Sequence, residues 1–257
     1  MQKFLDDAKI GRDAIHQARI DLAAAHRLAV NYGFHEGIDN HFTLMVPGFD
    51  DRFFLAPFGL HWSEIKASDF LVVDFYGNII EGEGLIEETA FYIHAPIHQA
   101  DRKIQAVLHT HMPYATALSM LEDPELDMAS QNAIGFRDEV FYDCEYNGLA
   151  YDRSEGERMT KALGDKNILM LRNHGIVVTG KTVAEAFHNL YFFERTAEVH
   201  VLALSTGRDI RLVPKDIVDN TVEQFKESPD VGGVNRIELH FAALKRILDR
   251  TQPDYIQ

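Results

Sequence analysis

The segment Leu108–Ser119 reads LHTHMPYATALS, and its two histidines decide how the rest of the chain is read. In an extended strand, residues i and i+2 leave the same face about 7 Å apart, so His109 and His111 are placed to converge on one small object. A divalent metal ion is the obvious candidate. The residues before them, KIQAVL at 103–108, form the apolar run of a buried strand, and MPYATALSML at 112–121 returns to helical composition. An HxH pair alone is only moderately specific, because two strand histidines can also be solvated or hydrogen-bonded.

Catalytic sites for zinc and related ions take three protein ligands and leave a position open for water or substrate. His174 is the strongest third candidate. It stands in MLRNHGIVV at 170–178, a second apolar, strand-like run in which an unpaired imidazole would be costly. Gly175 beside it permits a close backbone approach or a sharp turn. His94 and His98 are also spaced i, i+4, but residue 95 is Ala rather than the Glu of an HExxH motif, so packing or hydrogen bonding is the expected role of that pair.

The composition bounds the function. At 257 residues and 46% apolar content the chain suits one α/β domain with a sizeable core. Lys and Arg total 25 against 40 Asp and Glu, a net charge of −15 with no basic cluster, which argues against nucleic acid or an anionic membrane surface as partner. The single Cys144 excludes an internal disulfide framework and is expected to be a small buried residue. The N-terminal MQKFLDDAKIGRDAIHQ is too charged for a signal-peptide core, and no apolar run of about 18 residues exists. A cytoplasmic location is the expectation.

Along the chain, residues 12–33 predict a helix with Gly33 as C-cap. Short strands follow at Phe42–Val46, Arg52–Leu55, Phe70–Phe75 and Ile79–Ile80, separated by Pro- and Gly-rich turns. A helix is predicted over Glu87–Ala100, kinked or broken at Pro96. Beyond the HxH strand come a strand in EVFYDCEYN (139–147), a helix over Ser154–Leu163 with Ser154 and Glu157 at capping-box spacing, the run at 167–180, and a long helix over Val183–Thr206 closed by Gly207. The region from about 210 reads as polar and irregular, with one helix over Asn235–Leu248.

Taken together, GIDNHFTLMVPG (37–48), the segment 53–84, FYIHAPIHQADRKIQAVLHTHMPYATALS (91–119) and LRNHGIVVTGKTVAEAFHNLYFFERTAEV (171–199) resemble the class II aldolase/adducin family over roughly residues 15–205. The resemblance implies a three-layer α/β/α domain around a mainly antiparallel central sheet, spanning 1–210, with 211–257 as a C-terminal extension on the domain or a neighbouring subunit. It implies one divalent ion per chain, zinc first with manganese or iron as alternatives, held by His109, His111 and His174. It also implies a homotetramer with active sites near subunit interfaces.

The departures from the family pattern narrow the chemistry. Sugar-phosphate members carry a Ser-Ser-acid motif before the helix leading to HxH, whereas this frame reads GEGLIEETAFYIH at 82–94. Without the serine pair a phosphorylated sugar is disfavoured. The place of the family acid falls on Ala90, with Glu87 and Glu88 just upstream; Glu88 is the candidate ligand or proton acceptor, against a plain role at the helix N-terminus. His41, where relatives build a substrate loop, is the candidate for an anionic substrate group, and Tyr114 and Gln131 are weaker near-site candidates. The expected activity is a metal-dependent carbon–carbon lyase, an aldolase or decarboxylase working through a metal-stabilised enolate on a small non-phosphorylated hydroxy- or oxo-acid. A non-haem iron oxygenase, which needs a carboxylate ligand, and a non-catalytic adducin-like scaffold are the alternatives.

Overall fold

Alternating side chains along each β-prone run demand two apolar layers, one on each face of a sheet. The computed structural model describes residues 2–227 and 233–257, with side chains from Gly11 onward. Its strands are β1 (His41–Met45), β2 (Arg52–Leu55), β3 (Leu71–Asp74), β4 (Ile79–Glu81), β5 (Ala106–Thr110), β6 (Val140–Asp143), β7 (Ile168–Leu171) and β8 (Gly175–Gly180). They form one eight-stranded sheet in the order β4-β3-β2-β1-β5-β8-β7-β6. Every neighbouring pair is antiparallel except β6 with β7.

The helices are α1 (Gln2–Tyr32), α2 (Glu88–Ala100), α3 (Pro113–Ser119), α4 (Gln131–Gly135), α5 (Arg153–Leu163), α6 (Val183–Leu204), α7 (Lys215–Lys226) and α8 (Arg236–Thr251). On one face Phe42, Leu44, Ala106, Leu108, Ile176 and Val178 pack with Leu22 and Leu28 of α1, Phe187 and Phe193 of α6, and Phe241 and Leu248 of α8. On the other, Val107, Leu169 and Val177 meet Ile93 and Ile97 of α2 and Met159 and Leu163 of α5, while Phe53, Leu55 and Val73 meet Ala90 and Ala95. These are the three layers expected, and the strand parity fixes a consequence for function. His41, Thr43 and His109 share the parity of Val107 and so face α2.

Local chemistry explains the helix ends. Gly33 takes φ 71°, and its N–H and that of Phe34 return to the Val30 and Ala29 carbonyls, a Schellman closure. α1 nevertheless begins well before residue 12. The cap of α5 is Asp152, whose carboxylate accepts from the Ser154 and Glu155 amides, not Ser154 as the capping-box spacing predicts; an anion two residues earlier serves the helix dipole better than a hydroxyl.

Three further expectations are corrected. Pro96 does not break α2, which is continuous from Glu88 to Ala100. Proline cannot supply the N–H that the Tyr92 carbonyl would receive, and Gly156 of α5 lies against that carbonyl so tightly that a β-carbon there would sit 1.8 Å from the oxygen. The region after 210 holds α7 as well as α8: Ile217, Val218, Thr221 and Phe225 make one face, and Phe225 covers Gly135 of α4. Its polar opposite face hid it in the composition. Cys144 is exposed rather than buried, since it follows the last residue of edge strand β6. Among the described residues no helix is long and apolar enough to cross a membrane.

Gly156 supplies a direct test of the α2–α5 packing. Gly156→Ala forces a methyl into the Tyr92 carbonyl and should lower stability by about 2 kcal/mol or more through overpacking, measured as a shift in the denaturant midpoint at unchanged slope; an unshifted midpoint would show that the two helices are not locked in this contact.

Candidate metal centre

β5 lies between β1 and β8, and its register sets the site. His109 stands opposite His41 on β1 and opposite Val177 on β8, and His111 follows one residue beyond the strand. β7 and β8 form an antiparallel hairpin whose turn is Arg172-Asn173-His174. Asn173 adopts φ 53°, a conformation asparagine tolerates better than most residues, and its N–H is held by the Ser119 carbonyl at 3.1 Å. His174 therefore sits on a hairpin turn, not inside a strand-like run as the composition of 167–180 suggests. Gly175 makes the close approach possible: a β-carbon there would lie 2.4 Å from the Thr110 oxygen and 2.9 Å from the His111 ring.

The result is convergence. The rings of His109, His111 and His174 stand 4.7–5.0 Å apart, centre to centre, and one ring nitrogen from each lies within 4.8 Å of the others. Burial and the neighbouring imidazoles hold His109 well below its ordinary pKa and His174 down to about 4, while burial also lowers His111. Neutral imidazoles are the ligating form. His109 Nδ1 donates to the Ile176 carbonyl at 2.9 Å, which leaves Nε2 with a free lone pair. His111 Nε2 is buried with no hydrogen-bond partner. A buried nitrogen without a partner, beside two others, fits a divalent ion.

The remaining candidates are sorted by the structure. His41 is not in a loop: it opens β1, is 7% exposed, and its ring stands 4.8 Å from that of His109. Glu88 is exposed on the first turn of α2 and is not among the residues that could hold the ion together. The carboxylate that reaches the site is that of Glu87, the N-cap of α2, which accepts from Thr89 N at 3.1 Å, from Thr89 Oγ1 at 2.7 Å and from the Ala90 amide. One of its oxygens lies 3.8 Å from His41 Nε2. The side chain of Tyr114 packs against the main apolar core rather than joining the histidines. Gln131 lies elsewhere too, in a cleft of about 360 Å³ with Phe136, His188 and Arg236.

Two residues that sequence reasoning passed over support the centre. Asn40, at φ 73°, accepts the His111 amide on its Oδ1 at 3.2 Å and so fixes the second histidine's backbone. Glu194, buried on α6, accepts the Tyr114 and Ala115 amides at 2.8 Å each, anchoring the N-terminus of α3 directly after the HxH segment. Its signal was a lone acid on the apolar face of a helix; Asn40's was an Asn-His pair entering a strand.

A model of the Class II Aldolase and Adducin N-terminal domain matches residues 20–201. The chain belongs to this family. Within it, a Caulobacter vibrioides protein provisionally named as an aldolase class 2 protein is 34% identical over 246 residues, covering 95% of this chain and 93% of that one. Human beta-adducin is 32% identical over 251 residues, which are 90% of this chain and 33% of adducin. Among solved structures, an aldolase II superfamily protein from Pseudomonas syringae superposes with TM-score 0.88 at 36% identity, covering 95% and 96% of the two chains. L-fuculose 1-phosphate aldolase from Glaciozyma antarctica PI12 superposes with TM-score 0.79 at 25% identity, covering 94% and 92%.

Two measurements probe this class II aldolase-family centre. Gly175→Ala should push the hairpin tip off β5 and weaken divalent-metal binding at least about tenfold, the scale on which supporting-residue changes act, read by competition with a chromogenic chelator; unchanged affinity would mean the close approach is dispensable. Burial also depresses His26 and His98 to about 4, against about 6.5 in an unfolded chain. As pH falls through this window the unfolded state takes up protons first. The metal-free protein should therefore hold full stability above about pH 6.5 and lose about 1.4 kcal/mol per pH unit for each such histidine down to about pH 4; denaturation midpoints that stay flat from pH 7 to 5 would contradict it.

Proposed function

We propose that the protein is a divalent-metal-dependent carbon–carbon lyase that performs aldol cleavage or decarboxylation on a small, non-phosphorylated hydroxy- or oxo-acid. The observation that carries this reading is the convergence of the His109, His111 and His174 imidazoles, together with a buried His111 Nε2 that has no hydrogen-bond partner. A divalent ion bound there supplies Lewis acidity toward substrate oxygens.

The chain's own residues supply the rest. His109, His111 and His174 hold the ion, the Ile176 carbonyl fixes the ring of His109, and Asn40 fixes the backbone of His111. His41 and Glu87 take the part for which the sequence suggested Glu88, His41 and Tyr114: they flank the site with an imidazole nitrogen and a carboxylate able to bind or move a proton at a substrate hydroxyl. The small crevice they border, about 20 Å³, is lined by Asn40, Pro57, Phe58, Leu60 and Trp62 with neither Lys nor Arg, so it offers no cation to a phosphate. Three imidazoles and an open position favour zinc. An iron oxygenase needs a ligating carboxylate, and Glu88 is exposed while Glu87 is committed to the cap of α2. The family tetramer is part of the proposal.

The scaffold reading is supported by the 32% identity to human beta-adducin. Metal content separates it from the lyase. Mass spectrometry on tag-free protein purified without chelators should find about one divalent ion per chain, as expected for a three-ligand site, and His174→Ala should lose it. Loaded protein should then release an aldehyde or CO2 from a panel of hydroxy- and oxo-acids without consuming oxygen. A parent that takes up no metal on reconstitution would overturn the lyase in favour of the scaffold.

A further inference from the structure

Four polar side chains between β1 and α2 are not metal ligands, yet they are among the most buried in the molecule. Thr43 and His94 are 0% exposed, His98 3% and His41 7%. They form one continuous chain: His98 Nδ1 to the Ile104 carbonyl at 3.2 Å, His98 Nε2 to Thr43 Oγ1 at 2.9 Å, Thr43 Oγ1 to His94 Nδ1 at 2.5 Å, and His94 Nε2 to His41 Nδ1 at 2.7 Å.

The direction of every hydrogen in this chain follows from its far end. A carbonyl only accepts, so His98 Nδ1 carries a hydrogen, and in a neutral ring its Nε2 is then bare. Thr43 donates its single hydrogen to that nitrogen. Toward His94 the hydroxyl oxygen can only accept, so His94 Nδ1 carries a hydrogen and its Nε2 is bare. That nitrogen accepts from His41 Nδ1, and His41 Nε2 is left with a lone pair. The opposite direction would set a bare His98 Nδ1 against the Ile104 carbonyl, two acceptors facing each other in a buried place. Nor does Glu87 demand a hydrogen on His41 Nε2, since 3.8 Å is beyond hydrogen-bond length. The rings of His94, His98 and His41 are buried and lie within this hydrogen-bonded line with no carboxylate at hydrogen-bond distance, surroundings that favour the neutral form.

We propose that the Ile104–His98–Thr43–His94 chain locks His41 as the Nδ1–H tautomer, so that its Nε2 presents a lone pair to the three-histidine site and accepts a hydrogen bond from a substrate hydroxyl. The substrate half rests on the lyase reading above; the tautomer half does not. His94, Thr43 and His98 are positioning residues: they touch no substrate and act by deciding which nitrogen of His41 is bare. A hydroxy-acid meets a complementary acceptor here, whereas an oxo-acid presents an oxygen to another acceptor.

The test is long-range nitrogen–proton NMR on the full, metal-free chain labelled with 15N-histidine. In the parent at neutral pH, His41, His94 and His98 should each be protonated at Nδ1 and bare at Nε2. Thr43→Val keeps the side-chain shape and removes the hydroxyl; it should leave His98 unchanged at Nδ1 but release His94 and His41 into mixed tautomers, and Thr43→Ser should restore the parent pattern. A parent His41 protonated at Nε2, which needs no variant to observe, overturns the lock, as does a folded Thr43→Val protein whose His41 keeps the parent signals. For the substrate half, zinc-loaded parent should bind glycolate more tightly than methoxyacetate by about tenfold, the scale of one hydrogen bond, and the preference should shrink in His41→Phe. A preference undiminished in His41→Phe overturns that half and leaves the tautomer result standing.

Discussion

The contact on which the rest of the site depends is the approach of Gly175 to the Thr110 carbonyl, closer than any residue with a β-carbon could come. It seats the β7–β8 hairpin on the end of β5 and carries His174, which no strand periodicity would aim inward, to the two histidines of the HxH segment. The same strand, through its pairing with β1, sets His41 opposite His109. The registers of β5 with β1 and with β8 together bring four imidazoles to one place, and a slip of β1 by one residue would turn His41 to the opposite face.

That register creates an energetic problem on the α2 side of the sheet. His41, Thr43 and His109 interrupt a face that is otherwise apolar, and a buried polar group costs roughly 1–3 kcal/mol if left without a partner. The fold answers with a second polar line on α2, where His94 and His98 stand one turn apart among Ile93 and Ile97. Thr43 joins the two because a hydroxyl gives one hydrogen and still accepts another. The satisfied chain and the unsatisfied His111 Nε2 lie within one neighbourhood, and the contrast separates their roles. The Thr43 line has its partners, whereas His111 Nε2 is one of five buried side-chain atoms without one among the described residues and belongs to a ring that converges with those of His109 and His174.

Much of this was legible in the sequence. The HxH spacing, the turn at Tyr76-Gly77-Asn78, the Gly33 closure and the antiparallel run of short strands follow from period-2 alternation and turn residues. His174 is legible as a histidine in a β-prone run interrupted at Asn173-His174-Gly175, and the structure makes that interruption a hairpin turn between β7 and β8. Glu87 and Glu88 could not be ranked without knowing where α2 begins, since one residue of helix phase turns a side chain by about 100°. Pro96 misled because the carbonyl it deprives is covered by Gly156, a residue 60 positions later. α7 was missed because an amphipathic surface helix has unremarkable average polarity. Packing or hydrogen bonding is what the spacing of His94 and His98 predicts, and both are hydrogen-bonded, but nothing in that spacing could reveal that Thr43 lies between them.

Within the aldolase and adducin family, the arrangement of acid and base in this chain has a physical logic of its own. Ala90, within the first turn of α2, stands where the family resemblance places an acid, and the carboxylate near His41 is instead that of the cap, Glu87. The Glu87 carboxylate accepts three hydrogen bonds as the cap of α2, which fixes its place beside His41 and leaves it little freedom to turn toward a substrate. Accepting a hydrogen bond from a substrate hydroxyl then falls to a neutral ring, and a ring does this only if its bare nitrogen faces the right way. An isolated imidazole at the rim could hold its hydrogen on either nitrogen. His41 instead stands at the end of a buried line that begins at a strand-preceding carbonyl, so the polarity of one peptide group reaches the site through three side chains.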